Sequence, residues 1–475
     1  MKIMRFRFIG LFLLIAFSLS AQESDVKYLN DSVPVRWAFV PDVDGKAISV
    51  DDRWWCNFED QLLDSLVTAA MEANYDIRKA ARRVNIARAQ VKTVASGYYP
   101  EADLYAGWKS RRISGSRKGT PGGLKIEGYW DLGIDMSWQV DLFGKIALKA
   151  DEKKKIWQAT QAEWAGVMLS VAGEMVTHFI NLRLVQEKLD ILYERSKSQL
   201  GIVRSVESRR QTDAGSSLQV SQALTLYYSI LAEIPVAENA VRSEINAIAI
   251  LLGVYPDDIK DALKVKGKVS WPSYRQLIAS GIPSDILRRR PDVVEAERVV
   301  ASYAAALGVA KKEFLPNLSI RGVISTSARS VGNMFSGKSY GVEFAPTVSW
   351  NLFDGYRRKY GRVIAEETLQ AGIDDYNLTV LNAYQEASNA ISSYSASVRH
   401  VDLLADAVKH ARKAFSASVD SYKAGACDFQ NVTDAQKALM NSQNAFATAK
   451  RDALKSLVSI YVALGGGWDA SMIGE

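Results

Sequence analysis

From Ile126 to Val140 the chain alternates without a break. Ile126, Gly128, Trp130, Leu132, Ile134, Met136, Trp138 and Val140 fall on one face, and Glu127, Tyr129, Asp131, Gly133, Asp135, Ser137 and Gln139 on the other. A period of two belongs to a β-strand with one apolar face. The pattern returns in Leu318, Ile320, Gly322, Ile324, Thr326 and Ala328, where Val323 is the one apolar residue on the polar side. It returns again in Tyr340, Val342, Phe344, Pro346, Val348 and Trp350. With a first run through Leu104, Ala106 and Trp108, the alternation predicts four strands at about 101–112, 126–140, 317–330 and 339–350.

Between and after the strands the period changes. Val380, Tyr384, Ala387, Ile391, Tyr394, Val398, Val401, Ala405, Val408, Ala411, Phe415, Val419 and Tyr422 recur in steps of three and four. That is a heptad seam calling for a coiled-coil partner. A looser version runs from about Ile146 to Gln211 through Val171, Met175, Phe179, Leu182, Val185, Leu189 and Leu192. No proline interrupts Gly122 to Ile234 or Thr347 to the end, so each arm can be one helix, about 100 Å long at 1.5 Å per residue. The arms end at turns with N-cap signals, at 213–217 (Asp213 to Ser217) and 424–428 (through Gly425 and Asp428), and return as helices over about Leu218 to Leu252 and Phe429 to Leu464. Pro235 is expected to kink the first return.

The elements come twice in the same order. Asp76 to Pro100 and Asp292 to Pro316 each span 24 residues, and Trp138 to Gly215 (77) nearly equals Trp350 to Gly425 (75). The expected division is a signal peptide at 1–21, an equatorial segment at 22–61, a first repeat at 62–260, an equatorial linker at 261–282, a second repeat at 283–464 and a tail at 465–475.

Composition narrows the class. Lys2, Arg5 and Arg7 precede the apolar run Ile9 to Phe17 and the small residues Ser18, Ser20 and Ala21, the make-up of a secretory signal peptide. Its removal takes three positive charges from a formal +6, leaving +3. A near-neutral mature chain gives no electrostatic basis for nucleic-acid binding. Past that segment no run of 18 apolar residues is seen, so no transmembrane helix is expected. Two cysteines, Cys56 and Cys427, cannot form a disulfide framework.

A membrane role therefore falls to the strands, which are long enough to cross a bilayer at a tilt. Alternation alone fits a soluble sheet equally well. Export, loops rich in Gly, Ser and Lys, and an aromatic girdle of Trp108, Trp130, Trp138, Tyr340 and Trp350 favour the membrane. Four strands cannot close a barrel, and open edges are not tolerated in lipid, so other copies of the chain must complete the sheet.

Several motifs resemble the TolC-like outer-membrane efflux proteins, in their NodT branch. They are Trp54-Trp55 with Phe58 and Asp60; Ser137-Trp138-Gln139-Val140-Asp141-Leu142-Phe143-Gly144; and Ile282-Pro283-Ser284-Asp285-Ile286-Leu287-Arg288-Arg289-Arg290-Pro291-Asp292-Val293 with Ala296-Glu297. Ser349-Trp350-Asn351-Leu352-Phe353-Asp354-Gly355, Asp434-Ala435-Gln436 and Ala463-Leu464-Gly465-Gly466-Gly467-Trp468 complete the set. The resemblance implies an internally duplicated α+β membrane protein: a homotrimer whose twelve-stranded β-barrel, four strands per chain, continues as a long coiled-coil α-helical periplasmic tunnel. It also implies a periplasmic adaptor protein and an inner-membrane transporter of the resistance-nodulation-division class as partners, and export of small molecules such as drugs. Many members of the branch carry a lipobox cysteine. This sequence has none at the end of its signal segment, so anchoring is expected to rest on the barrel in outer-membrane lipid.

By distance from the tip glycine, the resemblance places a periplasmic gate at Gln430, Asn431 and Asp434. Asn431 stands where some members have a carboxylate, so the resemblance implies that Asp434 supplies a single acidic ring; spacing alone favours a solvated helix charge instead. Arg209, Gly215, Ser216, Tyr422, Gly425 and Asp428 are the expected adaptor-docking tips. The run Arg288 to Arg290 suggests either an anion site or a salt-bridge cluster at a helix start. Three histidines without metal-ligand spacing, and glycines without the Lys-Ser/Thr of a phosphate loop, point away from an enzyme, a metal or a cofactor. A protein-secretion duct and a secreted coiled-coil scaffold or adhesin are the alternatives.

Overall fold

The computed structural model describes residues 46–48, 53–113, 125–211, 216–264, 271–272, 276–278 and 288–468. The expected signal peptide, Gly215 and the Ile282 to Leu287 part of the arginine motif lie outside them. Helices α1 (Gln61–Ala73) and α2 (Tyr75–Ala95) lead into β2 (Glu101–Ile113) and β3 (Lys125–Val140), then α3 (Lys145–Gln211), α4 (Ser217–Leu252) and the short α5 (Pro256–Ile259). Helix α6 (Pro291–Lys312), β5 (Asn317–Ala328), β6 (Tyr340–Ser349), α7 (Arg357–Lys423) and α8 (Phe429–Ala463) repeat that order. The two copies match closely in length: α3 and α7 have 67 residues each, α4 and α8 have 36 and 35, and α2 and α6 have 21 and 22. A 67-residue helix is about 100 Å long.

The four long strands form one antiparallel sheet in the order β2-β3-β5-β6. Strands β2 and β6 are its edges, each paired on one side only among the described residues. Each repeat contributes one hairpin, and β3 joins β5 across the repeats. Two three-residue strands, β1 (Lys46–Ile48) and β4 (Gln276–Ile278), pair in parallel, a contact no sequence period announces.

The core lies partway along the arms. The turn Trp54–Phe58 buries Trp54 and Phe58 against Tyr461 of α8, whose ring stacks on Trp54 at 4.9 Å between centroids. Met175, Phe179 and Leu182 of α3, Ile248 of α4, Tyr394 of α7 and Leu457 of α8 fill the same cluster. Each such side chain stabilises the fold by about 1.5–3 kcal/mol. One 18-residue window of α3 is apolar enough to cross a bilayer, but 56% of it is buried. Where α3 enters this core, Val171, Ala172, Met175, Val176 and Phe179 are buried while Ser170 and Glu174 stay exposed, which is the pattern of a core helix with one wet side rather than a spanning one.

Arg290 shows how the arginine run is used. Its guanidinium, 7% exposed, donates to Asp292 (3.0 and 2.7 Å), to Glu386 of α7 (2.7 Å) and to the Ala463 carbonyl at the end of α8 (2.8 Å). The helix-start salt-bridge reading holds at Arg290, and Arg288 and Arg289 are exposed beside it. Helix α4 continues through Pro235 as a single helix.

Candidate lipid belt, lumen wall and periplasmic tip

The sheet faces differ as the alternation requires. On the apolar face Leu104, Trp108, Trp130, Ile134, Met136, Ile324, Tyr340, Val342, Phe344 and Val348 are all exposed. A sheet packed on a core would cover these side chains, and none of the described elements does. The opposite face is polar and tied together. Lys109 pairs with Asp131 at 2.5 Å, Ser327 donates to Asp131 at 2.7 Å, and Arg321 pairs with Asp135. Asp131 is 6% exposed within this network. Gly133 is required here, because a Cβ would come within 2.7 Å of the Tyr105 hydroxyl and 2.9 Å of the Ile324 carbonyl. Charges linked across strands on one face, with bare apolar residues on the other, suit a wet lumen and a lipid exterior.

The girdle residues divide between the two ends. Trp108 and Trp130 are register partners and Tyr340 opens β6, all near the hairpin loops. Trp138 and Trp350 lie at the helix end, and each indole donates at 3.0 Å to a backbone carbonyl, Trp138 to Tyr98 and Trp350 to Phe314. Those carbonyls occupy equivalent places, two residues before Pro100 and Pro316, so the duplication extends to single hydrogen bonds. The ten steps from Tyr340 to Trp350 span about 34 Å, or about 26 Å along the membrane normal at a tilt near 40°. The eight from Trp130 to Trp138 give about 21 Å. These values bracket the apolar band of about 25 Å in outer-membrane barrels.

At the far end, Gly425 adopts φ +73°, and its N–H and that of Ala426 return to the carbonyls of Tyr422 (3.0 Å) and Ser421 (2.8 Å), closing α7 with a left-handed cap. Asp428 is the N-cap of α8 but its side chain makes no cap bond. In the first tip Ser216 and Gln219 form a full capping box at the start of α4. Arg209, near the end of α3, reaches the other hairpin. Its guanidinium lies 4.7 Å from the Tyr422 ring centroid and donates to the carbonyls of Tyr422 (3.5 Å) and Lys423 (3.4 Å). Tyr422 in turn packs on Phe429 at 5.4 Å, over a small core of Val203, Val206, Ala223 and Val432. The cation therefore sits on the last carbonyls of α7, where the helix dipole favours it.

Gln430, Asn431 and Asp434 are all exposed on α8. The Gln430 amide donates to both Asp434 carboxylate oxygens (3.0 and 3.2 Å) and accepts from Gln222 of α4 at 3.3 Å. Sequence reasoning missed this clamp and the buried pair behind it, in which Gln436 donates to Gln199 (2.8 Å) and Gln199 to the Ala223 carbonyl (2.9 Å). The signal was available, since glutamines recur at 430 and 436 opposite those at 199 and 222, but spacing within one helix does not reveal a partner on another. Cys427 donates to the Ser418 carbonyl at 3.6 Å as a small tip residue, and Cys56, near the core, has its thiol pKa raised by burial and by Asp64. Both cysteines are free.

A profile of the outer membrane efflux protein family matches residues 66–254 and 282–466, one stretch in each repeat and more than half the chain. The solvent efflux pump outer membrane protein SrpC of Pseudomonas putida is 26% identical over 419 residues, 87% of either chain. Nodulation protein T of Rhizobium leguminosarum bv. viciae is 27% identical over 425 residues, 88% of this chain and 85% of the relative. The solved outer-membrane channel OprN superposes with a TM-score of 0.81 at 26% identity, over 90% of this chain and 98% of that one. With a girdled sheet at one end and a pinned helical tip at the other, the chain belongs to the outer membrane efflux protein family and is an outer-membrane exit duct of an efflux system.

Proposed function

We propose that three copies of this chain close into the duct, β6 of each pairing with β2 of the next to make a twelve-stranded barrel, with the helices forming a tunnel through the periplasm. The observation that carries this reading is the sheet itself, which leaves its apolar face bare and both edge strands unpaired among the described residues. In lipid such edges must be satisfied, and closure with copies of the same chain satisfies them all. The division into two repeats around an equatorial belt follows from the same arrangement.

The tips are read as gate and dock. Asp434, held by Gln430, forms a ring of three carboxylates on the trimer axis with Asn431 beside it; like charges there repel, so other contacts must hold the ring closed. Arg209, Gly215, Ser216, Tyr422, Gly425 and Asp428 present the surface to a periplasmic adaptor. A partner that binds the splayed tips better than the closed ones shifts the population toward open. Behind the adaptor stands an inner-membrane transporter of the resistance-nodulation-division class, and the cargo is small molecules. Single-particle electron microscopy of the detergent-solubilised protein tests the assembly: a three-fold particle with a barrel and a tunnel of about 100 Å is expected, and a monomer or a rod without a barrel overturns it.

A further inference from the structure

The two strand-to-helix junctions occupy equivalent places in the two repeats but are built differently. In the first repeat Lys145 is tied to Glu313 at 2.6 Å and is largely covered, and Lys312 donates to the Phe143 carbonyl. In the second, Gly355 (φ +65°) and Tyr356 (φ +68°) turn the chain from strand into helix, and α7 opens with Arg357, Arg358 and Lys359. Arg358 is paired with Asp354 at 2.7 Å. Arg357 and Lys359 are exposed, and among the described residues neither lies within ion-pair distance of a carboxylate. Three cations in a first turn without an acid also oppose the helix dipole.

The surroundings continue the lipid-facing surface. Below the Trp350 belt, Leu352 and Phe353 are 77% and 76% exposed. The Phe353 ring meets Tyr356 edge-on at 6.0 Å, and the Lys359 ammonium lies 5.8 Å from the Tyr356 ring centroid and 6.0 Å from that of Tyr360. Apolar rings thus pass into aromatic-backed cations within one helical turn, about 5 Å. The headgroup layer beyond a bilayer's hydrocarbon edge is about 5–7 Å deep. A surface that turns from apolar to cationic over that depth is complementary to an anionic lipid, with acyl chains on Leu352 and Phe353 and the phosphate at Arg357 and Lys359.

We propose that the second-repeat junction, Leu352–Phe353 with Tyr356, Arg357, Lys359 and Tyr360, binds anionic phospholipid of the periplasmic leaflet and sets the depth of the barrel in the membrane. The proposal rests on the sheet facing lipid, and its failure is separable from failure of that reading. The test is native mass spectrometry of the purified trimer in neutral detergent, titrated with phosphatidylglycerol or phosphatidylethanolamine, for the unaltered chain and for Arg357→Gln/Lys359→Gln. The expected result is preferential retention of phosphatidylglycerol, reduced about tenfold in the double variant while the trimer persists, and regained in Arg357→Lys/Lys359→Arg. Equal retention by the double variant overturns the proposal. So does loss of the trimer in that variant alone, which would mean that a second copy covers the face, and so does equal retention of glycerol 1-phosphate by the unaltered trimer, which would mean a free-phosphate site. If the unaltered chain forms no trimer, the duct reading fails instead.

Discussion

Arg209 is the most informative residue to remove, because it links two hairpins that must separate if the tip opens. Toward the second hairpin, among the described residues, its guanidinium makes two bonds to carbonyls at 3.4 and 3.5 Å and one cation–π contact at 4.7 Å. Bonds to a charged donor contribute about 1.5–3 kcal/mol when short and enclosed; at this length, on a half-exposed side chain, about 0.5–0.8 each is the reasonable share. The ring adds about 0.5–1 kcal/mol. The sum is about 2 kcal/mol per protomer, a factor of about 30 in the closed-to-open ratio of one tip. If three tips move together, the shift is about 6 kcal/mol, a factor of about 10⁴, enough to carry a closed population to a mostly open one. Arg209→Ala is therefore expected to show larger and longer openings in planar bilayers than the unaltered chain, and Arg209→Lys, which keeps the charge but not the planar fork, to fall between them. An Arg209→Ala trace superimposable on the unaltered one, from protein that is still trimeric, would falsify the idea that this contact holds the tip.

Other changes test the neighbouring parts. Asp434→Ala, which removes the carboxylate held by Gln430, is expected to raise single-channel conductance and lower cation preference, read as a shift in reversal potential under a salt gradient. Gly425→Ala places a Cβ at φ +73° and is expected to cost about 1–2 kcal/mol locally, seen as faster hydrogen exchange in the tip with little change in melting temperature. Burial raises the pKa of Glu295 on α6, and Glu163 and Asp292 raise it further. The folded chain thus binds this proton more tightly than the unfolded one, so the stability contribution is present at low pH and is lost as pH rises from the ordinary glutamate range through the raised folded value. Glu295→Gln is accordingly expected to melt at higher temperature than the unaltered chain near neutral pH, with the gain disappearing at about pH 4. A gain independent of pH would mean that the charge is not the cause.

What could be read from the chain followed the range over which each signal acts. The four strands lie where the period of two places them, because each residue's face is fixed by its own neighbours. Helices α3 and α7 match the heptad arms closely for the same reason. The tip turns were legible through Gly425 and Ser216, whose local chemistry is specific. Contacts that join distant segments were not: the reach of Arg290 to Ala463, 173 residues away, the Gln199–Gln436 pair, and the crossing of Arg209 to Tyr422. Arg209 and Tyr422 were both singled out, but as separate docking residues.

The second arm shows what a single chain leaves unfinished. Its seam is buried at Val380, Ala387, Ile391, Tyr394, Val398 and Val401, and past that point Ala405 is exposed and Val408, Ala411, Phe415, Val419 and Tyr422 are only partly covered. The sequence continues the heptad without a change of character, so the loss of cover does not come from the pattern. In the proposed trimeric tunnel it comes from the side of the wall that a neighbouring protomer would supply. Helix α8 covers one flank of α7, and a helix in a cylindrical wall needs a neighbour on the other as well. Leu403 of α7 and Tyr228 of α4, 71% and 64% exposed, are large apolar residues of the kind such a neighbour would cover. If they are buried between protomers, Leu403→Asp destabilises the trimer without unfolding the mid-arm core. If they face solvent, the substitution leaves assembly unchanged, and the seam past Val401 is not an interface.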